Sequence, residues 1–181
     1  MPKIIVAISN GFEEIETISI IDICRRANID VTIASAENIA IVGAHNITII
    51  ADTMIDTIHP NEFDMIVLPG GLPNAYTLAD NKKVQELLQV MKKNKKYIGA
   101  ICAAPFALHT AGVLNQNYTC YPSFEKKIRE NGYDKNKNVV VDGKVITSRG
   151  PGTAMSFALE IVNTLCGKER YEEVKKALLF N

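Results

Sequence analysis

The sequence predicts an α/β fold: a doubly wound, mostly parallel sheet with helices on both faces, plus a small hairpin. Three observations predict it. Short β-branched apolar runs recur along the chain, separated by helical patterns of ~10–15 residues. The runs are apolar throughout, as strands covered on both faces must be. No low-complexity linker and no repeat divides the 181 residues, a length that one domain over 1–181 accommodates.

The elements follow in order. Ile4–Ile8 is a β-branched run ended by Asn10-Gly11, a buried strand. Glu13 to Ala27 reads as a helix closed by Asn28, and Asp30–Ala34 as the next strand. Ile39–Val42 and Asn46–Ile50 flank Gly43-Ala44-His45, a hairpin signal. Met65–Leu68 is a strand ended by Pro69-Gly70-Gly71. Lys82–Lys93 is amphipathic, with Val84, Leu87, Leu88 and Met91 at helical spacing. Tyr97–Ile101 is a strand, and Ala103–Ala111 a helix ended by Gly112. Ser123–Glu130 reads as a helix with Ser123 as N-cap. Val139–Val141 and Val145–Thr147 form a hairpin around Asp142-Gly143. Thr153–Leu165 and Glu169–Leu178 are the last helices, separated by Gly167.

Twenty basic and twenty acidic residues cancel, and 47% of residues are hydrophobic. That balance excludes disorder, collagen and coiled coil, and gives no field that would hold nucleic acid stably. The longest uncharged stretch, Ile98 to Leu108, is interrupted by Pro105 and falls short of the ~20 residues a membrane span needs. Ile4–Ile8 is too short for a signal-peptide core. A cytoplasmic location is therefore expected, with Cys24, Cys102, Cys120 and Cys166 as thiols. No Cys-x-x-Cys is present, so a structural zinc site or a thioredoxin-type pair is not expected; no metal and no organic cofactor is expected for chemistry at Cys102.

In doubly wound sheets ligands bind beyond the carboxyl ends of the strands. This directs attention to Ser9–Glu16, Pro69–Asn74, Cys102–Pro105 and Arg149–Thr153. The most informative segment is Ala100-Ile101-Cys102-Ala103-Ala104-Pro105, where a strand runs straight into a helix. Small residues flank Cys102 as in a nucleophile elbow, a turn too tight for larger ones. A helix start would lower the thiol pKa. The alternative is a small cysteine filling a core gap, the reading that suits Cys24, Cys120 and Cys166. The histidines are poor partners for Cys102. His109 lies two turns down the same helix and His59 precedes Pro60, while His45 sits in the hairpin within possible reach of the cleft.

Glu13, Glu14 and Glu16 open the first helix on the same sheet edge. Helix-dipole complementarity accounts for the first two. Glu16 shares an apolar stripe with Ile20, Ile23 and Ala27, so its pKa should rise and it could shuttle a proton to the cysteine. Gly70 and Gly71 could bring backbone N–H groups to a ligand and, with Ala103 N–H, form an oxyanion hole; a plain tight turn explains them equally. Ser148-Arg149-Gly150-Pro151-Gly152-Thr153 could bind an anion at a helix start, but it is not a nucleotide P-loop. Lys92-Lys93-Asn94-Lys95-Lys96 reads as a solvated helix end.

Together, Gly11-Phe12-Glu13-Glu14-Ile15-Glu16-Thr17, Leu68-Pro69-Gly70-Gly71, Ala100–Pro105 and Thr147–Thr153 resemble the ThiJ/PfpI superfamily. Within it they look like the subgroup of the Parkinson-associated protein "DJ-one" and bacterial YajL. The resemblance implies a flavodoxin-like homodimer whose reactive cysteine, of depressed pKa, is Cys102. It matches Glu16 to the glutamate bonded to that cysteine, and Gly71 and Ala103 to N–H groups facing it. It implies a glyoxalase-like activity on α-oxoaldehydes without glutathione, or removal of early glyoxal adducts from proteins and nucleotides. The alternative it implies is a non-enzymatic redox sensor or chaperone, switched by oxidation of Cys102 to sulfinic acid. Three departures qualify it. Ala103 stands where the protease branch has histidine, Tyr121 where many relatives have histidine, and His45 where some present an arginine to anions.

Overall fold

The computed structural model describes residues 1–180. Among them nine strands form: β1 (Lys3–Ile8), β2 (Asp30–Ser35), β3 (Ala40–Val42), β4 (Thr48–Ile50), β5 (Thr53–Met54), β6 (Met65–Leu68), β7 (Tyr97–Ile101), β8 (Val139–Asp142) and β9 (Val145–Ser148). The helices are α1 (Glu14–Arg26), α2 (Asn74–Asp80), α3 (Lys82–Lys93), α4 (Pro105–Thr110), α5 (Glu125–Ile128), α6 (Ala154–Cys166) and α7 (Lys168–Ala177).

Seven strands make one sheet in the order β5-β2-β1-β6-β7-β9-β8, parallel except for β8 against β9. β3 and β4 pair separately as the antiparallel hairpin. This is the flavodoxin-like arrangement expected from the sequence. The unbroken apolar runs are explained by burial on both faces. Ile4, Val6 and Ile8 point into a core shared with α1 and α6, and Ile5 and Ala7 into a second core with α2, α3 and α4. α3 buries Val84, Leu87, Leu88 and Met91, the stripe its sequence carries. Among the described residues no helix is long and apolar enough to cross a membrane.

Several elements differ from expectation. Ser123–Glu130 is helical only over Glu125–Ile128, and Ser123 caps nothing, because its backbone is left-handed at φ +86°. The helix expected at Ala103–Ala111 is the shorter Pro105–Thr110, since Cys102 to Ala104 form a turn first. Helix α2 was not legible in the sequence. Its buried residues include only Ala75, Leu78 and Ala79 as apolar contributors, too few for a clear period. Edge strand β5, two residues long, gives no pattern at all.

Candidate functional site

Parallel register brings four strand ends to one edge. Val6 of β1 pairs with Val67 of β6, Leu68 of β6 with Ala100 of β7, and Ile101 of β7 with Ser148 of β9. The segments following these strands therefore form one floor, and each of the four segments singled out above lies there.

Glu13 is the N-cap of α1. Its Oε2 accepts the N–H of Glu16 at 2.7 Å, and its own N–H donates to the Gly70 carbonyl at 3.0 Å. This fixes the first turn of α1 and points Glu16 inward, where it is completely buried. The Gly70 N–H donates to Glu16 Oε2 at 2.8 Å, while Oε1 is buried with no hydrogen-bond partner among the described residues. Burial raises the Glu16 pKa to about 7. The Gly70 N–H opposes that rise, the Glu13 charge adds to it, and the Cys102 thiol pulls it back slightly.

Cys102 sits at the junction of β7 and the turn before α4 with φ +65°, a left-handed conformation that costs an L-residue about 1 kcal/mol. Two backbone bonds hold it there: its N–H donates to Ser148 O at 3.0 Å, and its carbonyl accepts from Tyr121 N–H at 2.8 Å. A cavity of about 200 Å³ lies over it, lined by Gly71, Leu72, Cys102, Ala103, Tyr121 and Phe124. Burial pushes the Cys102 thiol up, and the Glu16 carboxyl beside it adds to this. The N–H groups of Ala103 and Gly71 pull the other way. The thiol lowered by a helix start, expected from the sequence, is thus corrected. α4 has only six residues and begins three positions on, and burial, with the Glu16 carboxyl beside the sulfur adding to it, outweighs the helix start.

Gly70 and Gly71 are needed for different reasons. A Cβ on Gly70 would lie 2.6 Å from Cys102 Cβ and 2.9 Å from Glu16 Oε2. Gly71 has φ +91°, and a Cβ there would lie 2.2 Å from Gly11 O. Their N–H groups also diverge. That of Gly70 is taken by Glu16, so it does not join the oxyanion-hole set, whereas that of Gly71 faces Cys102 with that of Ala103.

His45 is in a different place from the one its role required. It does not line the Cys102 cavity. It is exposed, with Nδ1 2.8 Å from Glu14 Oε2 and its backbone N–H donating to Oε1 at 2.6 Å. Burial pulls the Glu14 pKa upward, but His45 holds it below the usual carboxylate range; Glu14 in turn raises His45. Glu13, Glu14 and His45 bring potential ligand atoms within 4.8 Å of one another. These atoms are already engaged, and the positive end of α1 opposes a cation there. Tyr121 does line the Cys102 cavity and is half exposed. Cys24 and Cys120 are fully buried, and burial pushes Cys120 up to about 12, which suits packing cysteines.

Sequence reasoning reached Asn74 only as the end of the segment Pro69–Asn74 and gave it no role. Fully buried, it accepts the N–H and hydroxyl of Ser9 on Oδ1 at 2.7 and 3.0 Å. Its Nδ2 donates to the carbonyls of Pro69 at 2.8 Å and Gly70 at 2.9 Å. It ties the end of β1 to the loop that carries Gly70. The only signal was a polar residue opening an unrecognised helix.

The comparisons with known proteins agree with this geometry. The model of the DJ-1/PfpI family matches residues 2–164. Protein DJ-1 homolog B of Arabidopsis thaliana is 38% identical over 180 residues; these are 98% of this chain but 41% of that protein, so the chain spans less than half of this relative's length. A Caenorhabditis elegans protein described as glutathione-independent glyoxalase DJR-1.2 is 38% identical over 167 residues, 92% of this chain and 89% of that one. The crystal structure of Drosophila melanogaster DJ-1beta superposes with a TM-score of 0.96 at 39% identity, covering 99% of this chain and 98% of that one. Sequence, fold and strand-end geometry agree: the chain belongs to the DJ-1/PfpI family.

Proposed function

We propose that the chain converts α-oxoaldehydes to hydroxyacids without glutathione, with Cys102 as nucleophile and Glu16 as proton carrier. One observation carries this reading. Beside Cys102, held at φ +65° on the floor of a cavity, lies a buried carboxyl whose pKa stands at about 7. A group poised there is suited to both giving and taking a proton at neutral pH. The name of the nematode relative supports the substrate class.

The proton of the pair decides reactivity. While Glu16 is ionised, its charge suppresses the thiolate. Once Glu16 holds the proton, that repulsion is gone and a neutral acid can donate to the sulfur. The thiolate then adds to the aldehyde carbon, and Glu16 protonates the resulting alkoxide to give a hemithioacetal. The Glu16 carboxylate next takes the hydrogen from that carbon as a proton. The electron pair moves into an enediol, and the proton returns to the adjacent carbon. This leaves a thioester of the hydroxyacid. Water hydrolyses it, restoring the thiol; methylglyoxal plus water becomes lactate, with no external oxidant. The N–H groups of Gly71 and Ala103 face the sulfur and support the oxyanion. Adducts of glyoxals on proteins or nucleotides present the same carbon chemistry.

The chain also acts as a homodimer in this reading. Ile15 and Ile18 of α1 are exposed, as is Ile47 of the hairpin, which Glu14 ties to the start of that helix. Such neighbouring exposed isoleucines fit a self-complementary interface; sedimentation at micromolar concentration would measure twice the chain mass.

The activity is tested by following methylglyoxal loss and lactate formation with the wild-type protein and Cys102→Ser. The reading expects turnover in the first and none in the second. Equal, negligible rates would overturn it and favour a redox sensor, in which the same N–H groups hold an oxidised Cys102.

A further inference from the structure

Arg149 follows β9 directly. Its neighbour Ser148 pairs with Ile101 and accepts the N–H of Cys102, so Cys102 and Arg149 begin adjacent loops on one sheet edge. A second cavity, of about 270 Å³, is lined by Tyr121, Pro122 and the turn from Arg149 to Thr153. Tyr121 also lines the Cys102 cavity, so the two share one wall.

Among the described residues the Arg149 side chain has no partner: its Nε is buried and makes no hydrogen bond, and no carboxylate lies within 4.0 Å of the guanidinium. Glu125 acts on Cys120 from nearby, as Arg149 does, yet its Oε2 is buried and equally unpartnered. The Thr153 hydroxyl is already engaged with the N–H groups of Arg149 and Gly150. Arg149 lines this cavity with its Nε desolvated; such a guanidinium favours an anion, and its paired N–H donors match the two oxygens of a carboxylate. α6, which starts at Ala154, adds the positive end of a thirteen-residue helix.

We propose that this second cavity is a carboxylate subsite, in which Arg149 holds the carboxylate of a compound whose reactive carbon meets Cys102. The substrates it selects are small α-oxo carbonyl compounds, or their adducts, that carry a carboxylate. The proposal rests on the reading of Cys102 as the reacting group and narrows its substrate class.

Iodoacetate and iodoacetamide test it without requiring turnover. In both, the Cys102 thiolate attacks the methylene carbon, the S–C bond forms and iodide leaves; only the charge of the reagent differs. Rates at Cys102 are read by peptide mass spectrometry, separately from half-buried Cys166. The expected iodoacetate-to-iodoacetamide rate ratio exceeds that of N-acetylcysteine by about fivefold. Arg149→Gln should bring the ratio down to the small-thiol value, and Arg149→Lys should fall between. A wild-type ratio equal to that of N-acetylcysteine, or one that Arg149→Gln leaves unchanged, would overturn the subsite. If Cys102 reacts with neither reagent faster than fully buried Cys120, the reading of Cys102 itself fails, and the subsite with it. Should Arg149→Gln not fold, the wild-type ratio and Arg149→Lys decide.

Discussion

The N–H of Gly70 donates to Oε2 of Glu16 at 2.8 Å, and the same residue leaves less than a methyl group's space between Glu16 and Cys102. One glycine thus anchors the carboxyl and sets how closely it approaches the sulfur.

Gly70→Ala would place a Cβ 2.6 Å from Cys102 Cβ and 3.0 Å from the Ile101 carbonyl. Both neighbours are short and fixed, so the backbone must shift. We expect a loss of about 2 kcal/mol in urea unfolding, together with slower Cys102 alkylation. An unchanged midpoint and rate would contradict the close packing described.

Asn74→Ala should destabilise by about 3 kcal/mol, because it strands the Ser9 N–H and the carbonyls of Pro69 and Gly70 in a buried site. Asn74→Asp keeps the acceptor for Ser9 but loses both donors to the carbonyls, so it should not restore stability. The measurement is again equilibrium unfolding in urea.

Glu16 gives stability a definite dependence on pH. Its pKa is about 7 in the fold against 4.5 for an ordinary carboxyl. The folded state therefore holds more protons, and stability must fall as pH rises through that window. The full effect is about 3 kcal/mol. Glu16→Gln removes this titration while its amide oxygen can still accept from Gly70. Between pH 4.5 and 7 the wild type should lose that much relative to Glu16→Gln. Parallel pH curves for the two proteins would contradict the raised pKa.

What could be read from the sequence depended on whether a residue's role was local. Ile4–Ile8 announced a strand because burial on both faces needs nothing beyond the run itself. Cys102 was legible through its small neighbours, which the turn at φ +65° requires. Glu16 was legible through its apolar stripe, which reports burial directly. Asn74 was not, since its partners at Ser9, Pro69 and Gly70 come from strands joined only in the folded sheet. The same holds for the difference between the N–H groups of Gly70 and Gly71, which depends on where Glu16 lies. The upward push on the Cys102 thiol was not legible, because the helix start is visible in the sequence while burial of the sulfur and the Glu16 carboxyl beside it arise only in the folded chain. His45 could be placed in the hairpin, but its attachment to Glu14 depends on how that hairpin docks on α1.

The central claim is that Glu16 and Cys102 share one proton that governs the thiol. The pH profile of Cys102 alkylation by iodoacetamide, in wild type and Glu16→Gln, tests it most directly. The account predicts a wild-type rate that rises through pH ~7 with the first ionisation of the pair and then levels off. Glu16→Gln should lack that step and show a single rise set by the thiol alone. Identical profiles in the two proteins would contradict the shared proton and leave Cys102 reacting without Glu16.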